Sequence, residues 1–300
     1  MLIWLLQVFI LTLMILFAVA FITLLERAYM GISQRRRGPN KISFWGILQP
    51  VLDGVKLMMK STMKPNHLNM VLFSFIPAIN FMLFITFWSA MPFLFKIMQF
   101  SLSSLFVIVL LGMMGFGIMI TGWASNNKYA LFGSLRSMTQ SISYEVTLSL
   151  VILSVMCMKN SLDLSTMWKG FINMEIYFSI IFLLPAVIMI LAECGRTPFD
   201  LMEAESELVS GYNVEYGSME FAFLFMTEYG MIILLSILFS IMLSPMISSY
   251  VGFIIMSSIL FARYTLPRMR YDYLMSLMWK SLLPAVILIW MVIFNLSVSA

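Results

Sequence analysis

The chain has 300 residues, of which 61% are hydrophobic and only 11% are charged. A soluble domain of this length carries about a quarter charged residues, because a surface folded in water needs polar cover. The composition excludes an ordinary soluble enzyme and indicates an integral membrane protein. A net charge of +4, with no basic patch that alternates with aromatics, also argues against a nucleic-acid-binding protein.

Eight mostly apolar segments follow one another along the chain, with lengths close to the ~20 residues that cross a bilayer. Backbone groups in lipid must be hydrogen-bonded internally, so these segments are predicted to be helices. The first lacks the basic start and small-residue cleavage site of a signal peptide, and we interpret it as a retained helix. The predicted spans lie near residues 2–24, 68–89, 100–121, 137–157, 176–193, 219–242, 249–263 and 281–298.

The segment 44–62, between the first two spans, has a different pattern. Its apolar residues recur at helical spacing, and Asp53, Lys56 and Lys60 fall between them. This pattern predicts an amphipathic helix lying at the membrane interface. The predicted fold is therefore an all-α polytopic membrane protein, a single transmembrane domain over residues 1–300, with about eight transmembrane helices plus this interfacial helix after the first.

Basic residues are distributed unequally between the two sides of the predicted membrane domain. The loops that follow the odd-numbered spans contain fifteen of the eighteen Lys and Arg residues. The positive-inside rule then places these loops inside and both termini outside. The basic run within 26–41 usually serves only to set topology. Its side chains could instead bind lipid headgroups or acidic residues of a partner.

One loop on the basic side is acidic. Residues 193–216 contain six carboxylates and a single base, Arg196; the carboxylates are Glu193, Asp200, Glu203, Glu205, Glu207 and Glu215. Carboxylates so close together share protons as a cluster, so the loop could store and transfer protons. The alternative is a solvated acidic loop that docks a basic partner. The loop by itself slightly favours this alternative.

Two further carboxylates lie within predicted spans. Glu145 is about two turns into one span, Glu228 is in the middle of another, and Glu193 ends a third. Charge at membrane depth is costly, so such groups usually face a protein interior or a wet cavity on a proton or ion path. The alternative is a hydrogen-bonded structural Glu between helices. Together with the acidic loop, the two intramembrane Glu residues favour a proton path.

Cofactor-binding patterns are sparse. His67 is the only histidine, and Cys157 and Cys194 are far apart with no CxxC spacing. An iron–sulfur cluster, a histidine-ligated haem or a zinc site on this chain alone is therefore not expected. The sequence also has no GxGxxG or Walker-type loop, which argues against nucleotide binding.

Four strings resemble one known family. They are ERAYMGISQRRRGPNKISFWGILQPVLDGVKL, GWASNNKYALFGSLRSMTQSISYEV, RTPFDLMEAESELVSGYNVEY and PRMRYDYLM. In this order they resemble the NADH–ubiquinone oxidoreductase chain 1 family, a membrane core subunit of respiratory complex I. RTPFDL followed by ESELVSG is highly specific. The resemblance runs from about Glu26 to the last predicted helix.

The resemblance implies a subunit of H⁺-translocating NADH:ubiquinone reductase that is not catalytic alone. It implies a multi-pass protein of the mitochondrial inner membrane, with the odd loops in the matrix and both termini in the intermembrane space. The chain alone would bind no cofactor. Ubiquinone would be the substrate, and NADH, FMN and iron–sulfur clusters would be bound by partner subunits. The implied partners are the quinone-site and terminal iron–sulfur subunits of the hydrophilic arm, small membrane subunits and lipid.

By motif match, the resemblance also implies two sets of site residues. Around the quinone channel they are Arg27, Arg36, Arg196 and Phe199. On the proton-coupling path they are Glu145, Glu193, Asp200, Glu203, Glu205, Glu207 and Glu228. Two other classes remain as alternatives: a secondary transporter whose Glu residues bind an exchanged cation, and a structural anchor. Transporters usually contain repeats and broken midplane helices, and no repeat is visible in this sequence.

Overall fold

The computed structural model describes residues 2–43, 46–62, 64–65, 67–92, 101–169, 173–201, 211–244 and 248–299. Within these ranges all of the regular secondary structure is helical. Short 3₁₀ turns occupy Leu164–Lys169 and Gly211–Asn213. The helices are α1 (Leu2–Ser33), α2 (Gln49–Met59), α3 (Met70–Ser89), α4 (Ser103–Ala124), α5 (Lys128–Lys159), α6 (Asn173–Glu193), α7 (Ser218–Leu243), α8 (Ser248–Thr265), α9 (Tyr271–Leu277) and α10 (Leu283–Ser299).

The predicted all-α polytopic class is confirmed. Six helical segments of the described chain are long and apolar enough to cross a membrane: Leu6–Ser33, Met70–Ser89, Ser103–Ala124, Lys128–Lys159, Ser218–Leu243 and Tyr271–Asn295. The two other predicted spans coincide with α6, of 21 residues, and α8, of 18 residues. Each of the eight predicted segments therefore overlaps a helix. A full crossing by α6 and α8 stays a prediction.

Two helices extend well beyond the apolar segments that predicted them. α1 continues to Ser33, and α5 already begins at Lys128. The side chain of Asn127 caps α5 by accepting a hydrogen bond from the backbone N–H of Tyr129 at 3.1 Å. Hydropathy marks only the part of a helix that suits lipid, whereas the cap determines where the helix begins.

The predicted interfacial helix is present as α2. Val51, Val55 and Met59 are exposed on it, as expected for a face that rests on lipid. An ion pair of 2.9 Å between Arg27 and Asp53 ties α2 to α1. α2 therefore lies against the end of α1 with an apolar face free for the membrane.

The last helical run begins earlier than its predicted span at 281–298. α9 continues through a π-helical segment, Met278–Leu282, into α10. Pro284, the fourth residue of the predicted span, therefore lies inside a continuous helical run. A proline cannot donate a helical hydrogen bond and crowds the preceding turn, and a local π segment relieves both effects.

α7 is the most buried of the six long apolar helices and contacts α1, α3, α6 and α8. α4 and α5 pack closely, because small residues of α4 face polar side chains of α5: Gly115 faces Ser141, and Gly122 faces Ser134. This arrangement places buried polar residues of α5 and α7, such as Gln140 and Thr227, inside the protein.

Candidate functional site

A small cavity lies where α3, α4, α5 and α7 meet the turn that follows α6. Its volume is about 60 Å³. This is room for on the order of four water molecules, at roughly 15 Å³ each. The polar side chains that line it are Asn80, Ser137, Ser141, Glu193, Arg196, Tyr212, Thr227 and Glu228. Several helices thus direct polar groups into one point of an apolar bundle.

Glu228 has a polar partner for each of its oxygens. The hydroxyl of Tyr212 donates to Oε1, and Nη2 of Arg196 lies 3.7 Å from Oε2. The guanidinium of Arg196 also lies 4.5 Å from the centre of the Tyr229 ring. The side chains of Arg196 and Glu228 are 7% and 19% exposed. A charge pair this buried is tolerated only where such additional contacts offset desolvation.

Glu193 lines the same cavity from the end of α6. Its Oε2 is buried and has no hydrogen-bond partner within the described chain. The charge of Glu145 acts on Glu193. An ideal Cβ added to Gly112 would lie 2.6 Å from Oε1 of Glu145, so the glycine leaves the space that this carboxylate occupies. The structure thus brings together three of the predicted proton-coupling residues, Glu145, Glu193 and Glu228.

Phe199 and Asp200 do not line the cavity; they are held in the adjoining turn. Nε2 of Gln140 donates to the carbonyl oxygens of Ala192 at 2.8 Å and Phe199 at 3.0 Å. Asp200 pairs with Arg268 at 3.2 Å. Gln140 therefore binds the turn on both sides. The turn positions Arg196 and Glu193 at the cavity.

The same turn contains Cys194, whose thiol is partly buried. Burial and the neighbouring Glu193 raise the pKa of this thiol, while Arg196 opposes them. The thiol therefore stays protonated and is a poor nucleophile at neutral pH.

A line of charged and aromatic side chains reaches the cavity from α1. Arg263 pairs with Glu26, and its Nη1 donates to the hydroxyl of Tyr229 at 3.2 Å. The ring of Tyr229 contacts Arg196, which pairs with Glu228. Glu26 is only 5% exposed. The chain of contacts therefore connects the matching ends of α1 and α8 with the carboxylate on α7.

Sequence reasoning missed four residues of this site: Glu26, Arg263, Tyr212 and Asn80. One signal was present for Arg263, a base at the end of an apolar segment, because charge at membrane depth is costly and usually functional. Glu26 was missed because it begins the otherwise basic segment 26–41. Asn80 also carries a signal, as an amide within an apolar segment, whereas Tyr212 has none, since only packing brings it to the cavity.

Arg27 and Arg36 lie in a different place. They line an open cleft of about 410 Å³ between the end of α1, the loop that follows and the start of α2. Arg37 and Lys41 line it as well. Arg27 also makes the ion pair with Asp53. The predicted quinone-channel residues thus divide between this basic cleft and the turn near the carboxylate cavity.

The remaining predicted acids belong to residues 202–210. Glu203, Glu205 and Glu207 lie outside the described residues. Of the same acidic segment, Glu215 accepts a hydrogen bond of 2.9 Å from Nδ2 of Asn127. This contact joins the loop to the start of α5.

The fold and the site together define a class: a polytopic helical membrane protein with a carboxylate-lined polar cavity inside its bundle. Comparison with known proteins identifies a single family. The family model described as NADH dehydrogenase matches residues 6–294. NADH-ubiquinone oxidoreductase chain 1 of Artemia franciscana is 43% identical over 280 residues, covering 92% of this chain and 93% of that protein. The chain belongs to the NADH–ubiquinone oxidoreductase chain 1 family.

Relatives from two other organisms give the same result. The chain 1 protein of Dictyostelium citrinum is 43% identical and is covered over 88% of its length, with 92% of this chain. The chain 1 protein of Didelphis virginiana is 39% identical, with 95% of each chain covered. The resemblance found in the four sequence strings is therefore confirmed over nearly the whole length.

Proposed function

We propose that the chain is a core membrane subunit of proton-pumping NADH:ubiquinone oxidoreductase, in which it forms the wall of the ubiquinone access channel and the start of the proton-coupling path. Family membership supports the role as a subunit of this oxidoreductase. The observation that carries the coupling role is the cavity that Glu193 and Glu228 share, with Glu145 acting on it electrostatically.

The contacts of Glu228 suggest how charge would be coupled to protons. Arg196 lies 3.7 Å from the carboxylate, in a turn rather than in a helix. At an effective dielectric constant of about 20, moving this charge away by ~2 Å weakens the attraction by about 1.5 kcal/mol. That amount changes a proton equilibrium about tenfold. A small movement of the turn during quinone reduction is therefore proposed to weaken the Arg196–Glu228 pair and to favour proton uptake at the cavity.

From Glu228 the proton has two further acceptors. Glu193 lines the same cavity, and Glu145 is the next carboxylate toward α4. The path thus runs from the turn after α6 into the bundle. Glu203, Glu205 and Glu207 are proposed to extend the acidic path in the adjoining loop, and Asp200 to keep that loop in place through Arg268.

The quinone channel is proposed to begin at the basic cleft of Arg27 and Arg36. α2 begins at this cleft with Gln49 and carries exposed apolar residues further along, which suit the interface where a lipophilic quinone leaves the membrane. Arg196 and Phe199, in the turn beside the carboxylate cavity, are proposed to mark the other end of the quinone path. This order puts the reducible headgroup near the carboxylates that respond to it.

Family membership and the distribution of basic residues also suggest how the chain lies within its assembly. The basic loops are proposed to face the mitochondrial matrix and to contact the quinone-site and terminal iron–sulfur subunits of the hydrophilic arm. Both termini then lie in the intermembrane space. NADH, FMN and iron–sulfur clusters are proposed to reside on these partners, with neighbouring small membrane subunits and lipid around the bundle.

The coupling role is tested by Glu228→Gln and Glu145→Gln in the assembled complex, reconstituted in liposomes. Glutamine keeps the size and polarity but cannot take up a proton. We expect normal assembly on native gels and fewer protons pumped per NADH oxidised. The matched control is Asp272→Asn, because Asp272 is 70% exposed in a surface pair with Arg270. A normal number of protons pumped per NADH oxidised in both Gln variants would refute the coupling role.

The channel role is tested by photolabelling the complex with an azido-quinone. We expect labelled peptides from the α1–α2 cleft, and less labelling when unmodified ubiquinone competes. Labelling confined to other subunits would instead identify this chain as a structural anchor.

A further inference from the structure

A buried amide from α3 points to an additional functional residue. Asn80 lies in the apolar sequence of α3, is only 3% exposed, and lines the carboxylate cavity. Its Oδ1 is buried and has no hydrogen-bond partner within the described chain. A buried amide oxygen without a partner is costly, so an apolar side chain would suit packing better at this position.

The helix opposite makes room for this amide. An ideal Cβ on Gly117 of α4 would lie 1.9 Å from Oδ1 and 2.7 Å from Cγ of Asn80. A side chain on α4 and the amide on α3 therefore cannot occupy the site together. The glycine and the asparagine form a matched pair that introduces one polar group between two otherwise apolar helices.

The cavity contains a second buried acceptor without a hydrogen-bond partner in the described part of the chain. Oε2 of Glu193 is buried and has no hydrogen-bond partner within the described chain. The hydroxyls of Ser137, Ser141 and Thr227 donate to carbonyls of their own helices. Two acceptors cannot bond each other directly. A water molecule can donate to both acceptors, and a space of about 60 Å³ has room for it.

We propose that the cavity binds water between the amide of Asn80 and Glu193, and that Asn80 is a positioning residue that orients this water toward Glu193 and Glu228. The amide has both a donor and an acceptor, so it can bind a water molecule in either orientation. A water molecule that can take both orientations can pass a proton between Glu193 and Glu228. The inference rests on the proposed coupling role of the cavity and extends it to α3.

Water binding itself is tested by radiolytic hydroxyl-radical footprinting of the purified complex. Radicals formed from bound water oxidise adjacent side chains, and Met114, Tyr212 and Met231 line the cavity. We expect oxidation of these residues in the wild type and several-fold less in Asn80→Leu, which has a similar volume but no polar atom. Absence of oxidation in the wild type would overturn the water site, and equal oxidation in both proteins would overturn the role of Asn80 in binding this water.

The positioning role is tested by proton stoichiometry in the same variants. We expect Asn80→Leu to assemble normally and to pump fewer protons per NADH oxidised. Asn80→Ala combined with Gly117→Ser moves a polar group to the facing helix, and we expect partial rescue of pumping and oxidation. Loss of oxidation with normal pumping would overturn the positioning role while leaving the water site.

The two proposals fail separately. If Glu228→Gln pumped normally, the coupling role would fall, but reduced oxidation in Asn80→Leu would still show that the amide binds water. If Glu228→Gln impaired pumping and Asn80→Leu changed neither pumping nor oxidation, only the inference about Asn80 would be wrong.

Discussion

The buried ion pair between Glu26 and Arg263 makes a quantitative prediction about stability. The carboxylate is 7% exposed and the guanidinium 27%. Arg263→Met leaves an almost fully buried carboxylate without its cation, which costs about 3–5 kcal/mol. Glu26→Gln leaves a more exposed cation that still contacts the hydroxyl of Tyr229 at 3.2 Å. The loss is then about 1–3 kcal/mol. The midpoints of these two ranges differ by about 2 kcal/mol, which is roughly thirtyfold in the folding equilibrium.

The double variant Glu26→Met/Arg263→Met decides whether this reasoning is correct. It leaves no isolated charge, so it should be more stable than Arg263→Met alone. The assays are the amount of assembled complex on native gels and the temperature at which half of the NADH:ubiquinone reductase activity is lost. Asp272→Asn is the control, because an exposed pair contributes about 0–1 kcal/mol. If the double variant were less stable than Arg263→Met, or if Glu26→Gln were the worst of the three, the electrostatic account would be refuted.

Three further outcomes are expected. Gly122→Ala should reduce assembly, because its Cβ would lie 2.3 Å from Cβ of Ser134. Gly54→Ala should be tolerated, since nothing lies within 4 Å of its Cβ. Native gels compare the amounts of assembled complex in the two variants. Cys194 should react slowly with iodoacetamide, with little increase from pH 7 to 9, because burial raises the pKa of its thiol; mass spectrometry measures this, and a steep increase would contradict it. Gln140→Leu should slow quinone reduction more than it lowers assembly, since two hydrogen bonds to the turn disappear; parallel loss of both would indicate only a structural role.

Local patterns predicted most of the helices. Each apolar segment overlaps a helix, and the spacing of Val51, Val55 and Met59 predicted a helix with one face on lipid. These patterns succeed because the membrane excludes unpaired backbone groups, so an apolar segment has few alternatives to helix. They fail at helix ends, as at Lys128, because caps rather than hydropathy determine where a helix begins.

The candidate site was predicted in part. Glu145, Glu193 and Glu228 were recognisable because carboxylates are costly at membrane depth, and the structure brings them to one region. Asp200 and Phe199 were assigned by motif, and both lie in the adjoining turn, where Asp200 pairs with Arg268 and the carbonyl of Phe199 accepts from Gln140. Their assigned roles stay predictions. A motif identifies which residues belong to a site but does not distinguish those that line it from those that support it.

The sequence by itself determined that this chain is a helical membrane protein and which family it belongs to, and it predicted which side is basic. These properties depend on composition, periodicity and local strings. Only the tertiary structure decided that Glu26 meets Arg263 across 237 residues, and that Asn80 faces Gly117 beside the carboxylates. Such pairings arise when helices distant in sequence pack together, because a buried charge or amide is stable only where another element supplies its partner or its space.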